Sequence, residues 1–176
     1  KHFTPPWLAD LALAYLQIGP GQRVLDPACG SGALLLRAAQ GLQRGQGDPA
    51  ELWGVEQSWP LARLAQRQLE AAGPGTRAPR VLVGDFFAGL EPPGEGDPAL
   101  RRALARPFDA LLGNPPYTRH EALDSVAPGT KRRLLALSER LLGRPLSARS
   151  SLHAHFLLAA SQRLRPGGRL ALVLYD

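Results

Sequence analysis

Short apolar runs alternate along this chain with longer stretches whose apolar positions recur at helical spacing. Runs at residues 23–26, 52–56, 81–84, 108–112 and 169–174 are too short for helices and predict strands. Leu8, Leu11, Ala12, Tyr15 and Leu16 recur every three to four residues, the period of a helix with one apolar face. Thr4 stands before that stretch as a candidate N-cap, with prolines in the first turn. Further helices are predicted over 31–42, 60–72 and 152–164, with a helical turn near 99–105 and one helix at about 131–142. Gly19-Pro20-Gly21, Pro166-Gly167-Gly168 and the Gly- and Pro-rich stretches 41–49, 73–79 and 89–98 separate these elements. Strands alternating with helices predict the α/β class, a mostly parallel sheet with helices on both faces. Ending at a fifth strand leaves the central strand's far neighbours unsupplied, so the sheet is expected to be truncated there. Within one domain over 1–176, residues 1–21 form a flanking N-terminal helix. Residues 119–151 read as a mobile, Arg-rich insertion.

Composition changes this picture little. A chain of 176 residues with 44% hydrophobic positions suffices for one real core and excludes wholesale disorder. Basic residues number 21 against 15 acidic, and all but Lys1 and Lys131 are arginines. A net charge of +6 favours a phosphate-bearing partner. The single cysteine, Cys29, excludes an internal disulfide framework and suits a reducing compartment. No apolar run reaches membrane-span length and no secretory signal opens the chain, so a cytoplasmic location is expected and no membrane partner. There is no methionine, so the chain reads as part of something longer.

Candidate chemistry concentrates at the carboxyl ends of the predicted strands, where open α/β sheets bind ligands. Asp26-Pro27-Ala28-Cys29-Gly30-Ser31-Gly32 links the first strand to the next helix. Gly30 and Gly32 permit a tight turn and close approach to a ligand. A P-loop is excluded because no Gly-Lys-Ser/Thr follows, and a dinucleotide loop lacks its third glycine, since position 35 is Leu. The acidic residue closing the turn suits S-adenosylmethionine, which carries a cationic sulfonium and no phosphate. Leu112-Gly113-Asn114-Pro115-Pro116-Tyr117 leaves the fourth strand through two prolines that cannot continue a ladder. It presents an amide and an aromatic face on a fixed, extended loop. His153 and His155 lie two apart on different helix faces, so no metal site is expected.

The cofactor loop followed by Asn114-Pro115-Pro116-Tyr117 resembles the N6-adenine DNA methyltransferases. More narrowly, the chain is similar to those whose recognition region follows the catalytic domain. Phe3-Thr4-Pro5 resembles their N-terminal motif and Trp53-Gly54-Val55-Glu56 their ribose-binding segment. The resemblance implies a Rossmann-like, S-adenosylmethionine-dependent methyltransferase domain. It implies cofactor contacts from Phe3, Thr4, Pro5, Asp26, Pro27, Ala28, Gly30, Gly32, Glu56, Gln57, Asp85 and Phe86. Glu56 would accept from the ribose hydroxyls, and Asp85 from the cofactor's adenine amino group while Phe86 packs on the ring. Bland alternatives stand beside these: a solvated strand-end acid, an N-cap and a core aromatic.

The Asn114 side-chain oxygen and the Pro115 carbonyl would accept the N6–H bonds of the substrate adenine, and Tyr117 would stack on a base flipped from the duplex. Double-stranded DNA is the implied substrate, in a bacterial or archaeal restriction-modification setting with a partnered or fused endonuclease. The recognition region is then expected beyond Asp176. Arg132, Arg133, Arg140, Arg144 and Arg149 face either DNA phosphates or solvent. Cys29 is expected to be a small buried apolar residue. Alternatives with the same planar –NH2 chemistry are RNA adenine and a protein glutamine; a non-catalytic specificity subunit is a third.

Overall fold

In the computed structural model of the chain, the described residues are 4–42, 49–72 and 79–174. Phe3 and the last two residues lie outside them. α1 (Pro6–Leu16) precedes β1 (Arg23–Asp26), α2 (Ala33–Leu42), β2 (Glu51–Glu56), α3 (Trp59–Glu70) and β3 (Arg80–Val83). A 3-10 turn (Phe86–Leu90), α4 (Pro98–Leu104) and β4 (Phe108–Gly113) follow. A second 3-10 turn (His120–Ala122), α5 (Leu123–Val126), α6 (Thr130–Leu142), α7 (Leu152–Ser161) and β5 (Leu164–Leu172) complete the order.

All five strands are parallel, in the order β3-β2-β1-β4-β5. β1 is central and every one of its residues is buried. Alternate residues of a strand point to opposite faces, and here each face meets its own core. Val24, Leu52, Ala110 and Leu112 pack with Leu35, Ala39, Ala65 and Leu69 from α2 and α3, and with Ala9 and Leu16 of α1. Leu25, Trp53, Val55, Phe108 and Leu111 pack on the opposite face with Leu100 and Leu104 of α4, Leu134 and Leu137 of α6, and Phe156, Ala159 and Ala160 of α7. Two buried faces explain why the central strands read as unbroken apolar runs.

Most predicted elements are present with shifted ends, and three differences matter. Thr4 makes no cap: Pro5 holds the N-cap position of α1 without a side-chain bond, and the Thr4 hydroxyl is engaged elsewhere. The insertion expected to be mobile is anchored along α6, which buries Thr130, Leu134, Leu137 and Ser138. The last strand begins earlier than its apolar pattern shows. The Phe108 N–H donates to the Arg163 carbonyl at 2.8 Å and Phe108 pairs with Leu164, but Ala110 already pairs with Arg169. Pro166-Gly167-Gly168 is therefore a bulge inside β5 and not a turn before it. Proline fits because β5 is an edge strand among the described residues. Glycine fits because Gly167 has φ +76°, and a Cβ on Gly168 would meet Arg165 and Asp109 backbone oxygens at 3.0 and 3.1 Å.

Candidate active site

The turn between β1 and α2 is built from its own side chains. Asp26 Oδ1 accepts from the Ala28 N–H at 3.0 Å, which starts the turn as β1 ends. The Cys29 N–H donates to the Val55 carbonyl at 2.9 Å and ties the turn to β2. Gly30, at φ +57°, aims its N–H at Glu56 Oε2, 2.9 Å away. The other oxygen of Glu56 accepts from the Ser58 N–H at 2.8 Å. One carboxylate at the end of β2 thus clamps two loops. Cys29 is buried, as expected of a small apolar residue.

Gly32 serves packing. Its φ is +85°, and a Cβ there would stand 2.9 Å from the Ala65 Cβ of α3. Gly32→Ala is expected to destabilise the fold by about 1–3 kcal/mol, because α3 cannot yield and an L-residue is strained at that φ. A denaturant melt checks this; an unchanged midpoint would show that the turn relaxes.

Asp26 is 1% exposed. Burial pushes its carboxyl up to about 7; the negative charge of Glu56 adds to the rise and the Ala28 N–H opposes it. A cation beside Asp26 would relieve that cost. Asp85, after β3, caps the first 3-10 turn through the Phe87 N–H at 3.0 Å, while its other oxygen pairs with Arg133 of α6. Phe86 is 1% exposed and stacks on Phe156, with ring centroids 5.9 Å apart and planes 8° apart.

Asn114 follows Gly113 at the end of β4. Its Nδ2 donates to Thr4 Oγ1 at 3.0 Å, and its Oδ1 accepts from the Tyr117 hydroxyl. That hydroxyl also lies 3.1 Å from the Val173 carbonyl. Val173 is itself held by its N–H on the Gly113 carbonyl at 2.8 Å. Thr4 and Tyr117 therefore meet at one amide, and Val173 reaches it through the Tyr117 hydroxyl.

These loops surround one cavity of about 520 Å³. Thr4, Asp26, Pro27, Ala28, Gly30, Glu56, Gln57, Asp85, Phe86, Asn114, Pro115 and Tyr117 all line it. Of the other expected site residues, Pro5 and Gly32 are not among its lining residues. Thr130, Arg133, Leu152 and Phe156 also line it and belong to no motif. One signal was present for Arg133. It lies seven residues before Arg140, two helical turns on one face, and the two pair with Asp85 and Glu91, the acids flanking the first 3-10 turn. Both arginines pair within the chain and stay exposed to solvent, as expected of this surface. No three His, Cys, Asp or Glu side chains converge as a metal site among the described residues. No helix there is long and apolar enough to cross a membrane.

The model of the N-6 DNA methylase family matches residues 1–176. The chain is 29% identical to a release factor glutamine methyltransferase of Gloeobacter violaceus, over 94% of this chain and 50% of that protein. It is 26% identical to the type II methyltransferase M.BanIII of Aneurinibacillus aneurinilyticus, over 98% of this chain and 30% of that protein. Its fold is similar to a SAM-dependent methyltransferase from Thiobacillus denitrificans solved with S-adenosyl-L-homocysteine, at TM-score 0.52 and 23% identity, covering 96% of this chain and 48% of that one. The chain thus spans half or less of the length of these proteins.

Proposed function

This chain belongs to the N-6 DNA methylase family, and from that premise we propose that it binds S-adenosylmethionine and methylates N6 of adenine in double-stranded DNA. The observation that carries the reading is that one cavity has the Gly30–Glu56 turn on one side and the Asn114 amide on another. The residues present fit the cofactor. The left-handed Gly30 has open space where a Cβ would stand, Glu56 can accept from ribose hydroxyls with lone pairs its two N–H donors leave, and a cation beside Asp26 would favour the ionised form that burial disfavours. Thr4, Pro27, Ala28, Gln57 and Asp85 complete the wall. Bound S-adenosylmethionine supplies an electrophilic methyl group.

The chain's own part is to make a poor nucleophile good. The N6 lone pair of adenine is delocalised into the ring. The Asn114 oxygen and the Pro115 carbonyl each accept one N6–H and hold the nitrogen toward tetrahedral geometry. The Tyr117 ring holds the flipped base. Because Tyr117 donates to Asn114 Oδ1 in this structure, the substrate N–H takes the place of that hydroxyl. Positioning then contributes much of the acceleration. A restriction-modification role with a cognate endonuclease follows the same reading, since M.BanIII is a type II methyltransferase.

Calorimetry with S-adenosyl-L-homocysteine tests the cofactor half. Glu56→Ala removes a charged acceptor and is expected to weaken binding by ~1.5–3 kcal/mol. An unchanged affinity would move Glu56 to a purely structural role. The match to a glutamine methyltransferase favours a second reading, transfer to a side-chain amide of a protein, which offers the same planar –NH2. Tritiated methyl transfer to an adenine-containing duplex against a glutamine peptide separates the two; counts on the peptide alone would overturn the adenine reading.

A further inference from the structure

Thr4 lies 110 residues from Asn114 in sequence, yet its Oγ1 accepts from Asn114 Nδ2 at 3.0 Å. The hydroxyl makes no cap bond to α1, where an N-cap residue would ordinarily spend it. We propose that Thr4 is a positioning residue for the transfer step: it holds the nitrogen end of the Asn114 amide so that the oxygen end faces the substrate amino group. The proposal rests on the adenine reading above.

The argument begins with the shape of an amide. Its two ends are nearly isosteric, and a half-turn about the last side-chain bond exchanges an acceptor for two donors. Turned the wrong way, Asn114 would set N–H against the N–H of the incoming amino group. One end of this amide is shared by the Tyr117 hydroxyl and must change partners when substrate enters. The other end meets Thr4, which precedes α1 and stands apart from that exchange. α1 is itself seated, with Ala9 and Leu16 in the core of its face. Thr4 is therefore carried on a fixed element and keeps the amide in one orientation before, during and after the exchange at Oδ1. No peptide bond links Thr4 to the β4 loop, so the contact depends wholly on how α1 docks.

Thr4→Val keeps the shape and removes the hydroxyl; Thr4→Ser keeps the hydroxyl. In the whole protein, acting on a mixed-sequence adenine duplex, Thr4→Val is expected to lower single-turnover transfer by ~10–100-fold, the scale of a misplaced reacting group. With cofactor saturating, the loss of rate should exceed any change in the S-adenosyl-L-homocysteine dissociation constant, and Thr4→Ser should recover most of the rate. On an Asn114→Ala background, Thr4→Val should cost nothing further, because both changes remove the same oriented acceptor. A second measurement needs no turnover. The Asn114 side-chain NH2 resonances, identified by their loss in Asn114→Asp, should shift and lose exchange protection in Thr4→Val and not in Thr4→Ser. Weakened cofactor binding with the transfer rate intact would overturn the proposal and make Thr4 a cofactor contact. Unmoved NH2 resonances would overturn it too. If the wild-type protein leaves adenine unmethylated, the adenine reading fails, while the resonances still report whether Thr4 holds the amide.

Discussion

Asn114→Ala is expected to reduce the rate of methyl transfer by on the order of 10²–10³-fold, the loss measured when one preorganised hydrogen-bonding group is removed from a developing charge. Cofactor affinity should hardly move. The reason is differential binding: an acceptor that tightens as N6 becomes tetrahedral lowers the barrier more than it stabilises the bound base. The Pro115 carbonyl remains in the variant, so some rate survives. Tyr117 separates the two contributions. Tyr117→Ala removes a stacking face worth ~1–3 kcal/mol and should depopulate the flipped base. Tyr117→Phe should keep most of the activity, because its hydroxyl serves the substrate-free state, bonded to Asn114 and near the Val173 carbonyl. Single-turnover kinetics with 2-aminopurine at the target position reads flipping and transfer independently. An intact transfer rate in Asn114→Ala would sink the assigned role.

Asp26→Asn should stabilise the unliganded chain and weaken its hold on the cofactor. Asp26 is buried, and its carboxyl is raised from 3.8 to about 7 by that burial, with the charge of Glu56 adding to the rise. The folded state therefore holds this proton more tightly than the unfolded chain does. Below the ordinary carboxylate range both states are protonated and the group costs nothing. As pH rises from about 4 to about 7 the unfolded chain ionises freely and the folded one resists, so stability falls, and the cost is complete above the folded value. At roughly 1.4 kcal/mol per pKa unit the whole effect is a few kcal/mol. Asparagine keeps the acceptor for the Ala28 N–H and removes the charge. Its advantage over wild type in urea melts should therefore grow from pH 4 to 7 and then level off. The binding arm has the opposite sense. A cationic ligand favours the ionised carboxyl, so wild-type affinity for S-adenosylmethionine should rise with pH through about 7, and the variant should lack that rise. A constant stability difference across this range would mean that the carboxyl ionises normally in the fold.

How much of this was legible beforehand depends on distance along the chain. Val24 and Leu25 are adjacent and serve opposite cores, so the strand reads as a short unbroken apolar run; such runs, with the helical period between them, made the parallel sheet readable. The two loops at strand ends were readable because their chemistry is local: a carboxylate closing a glycine turn, and an amide held by two prolines. Twelve of the fifteen expected site residues line one cavity, where the parallel pairing of β1, β2, β3 and β4 brings their carboxyl ends to one edge of the sheet.

The remainder joins residues that no local pattern connects. The capping signal at Thr4 was sound as a local preference, but the docking of α1 set its hydroxyl against Asn114, and the longer-range partner won. The arginine-rich stretch reads as a solvated surface; Leu134 and Leu137 pack into the core and carry Arg133 to Asp85. Pro166-Gly167-Gly168 has turn composition, yet pairing with Phe108 and Ala110 on either side makes it a bulge. Periodicity and turn chemistry are properties of neighbours in sequence, and by themselves they determined most of the elements, the class of fold and the loops of the candidate site. Which side chains those elements bring together, and which polar groups must therefore satisfy one another, was decided by tertiary packing alone, because a buried donor takes the acceptor that the fold places beside it.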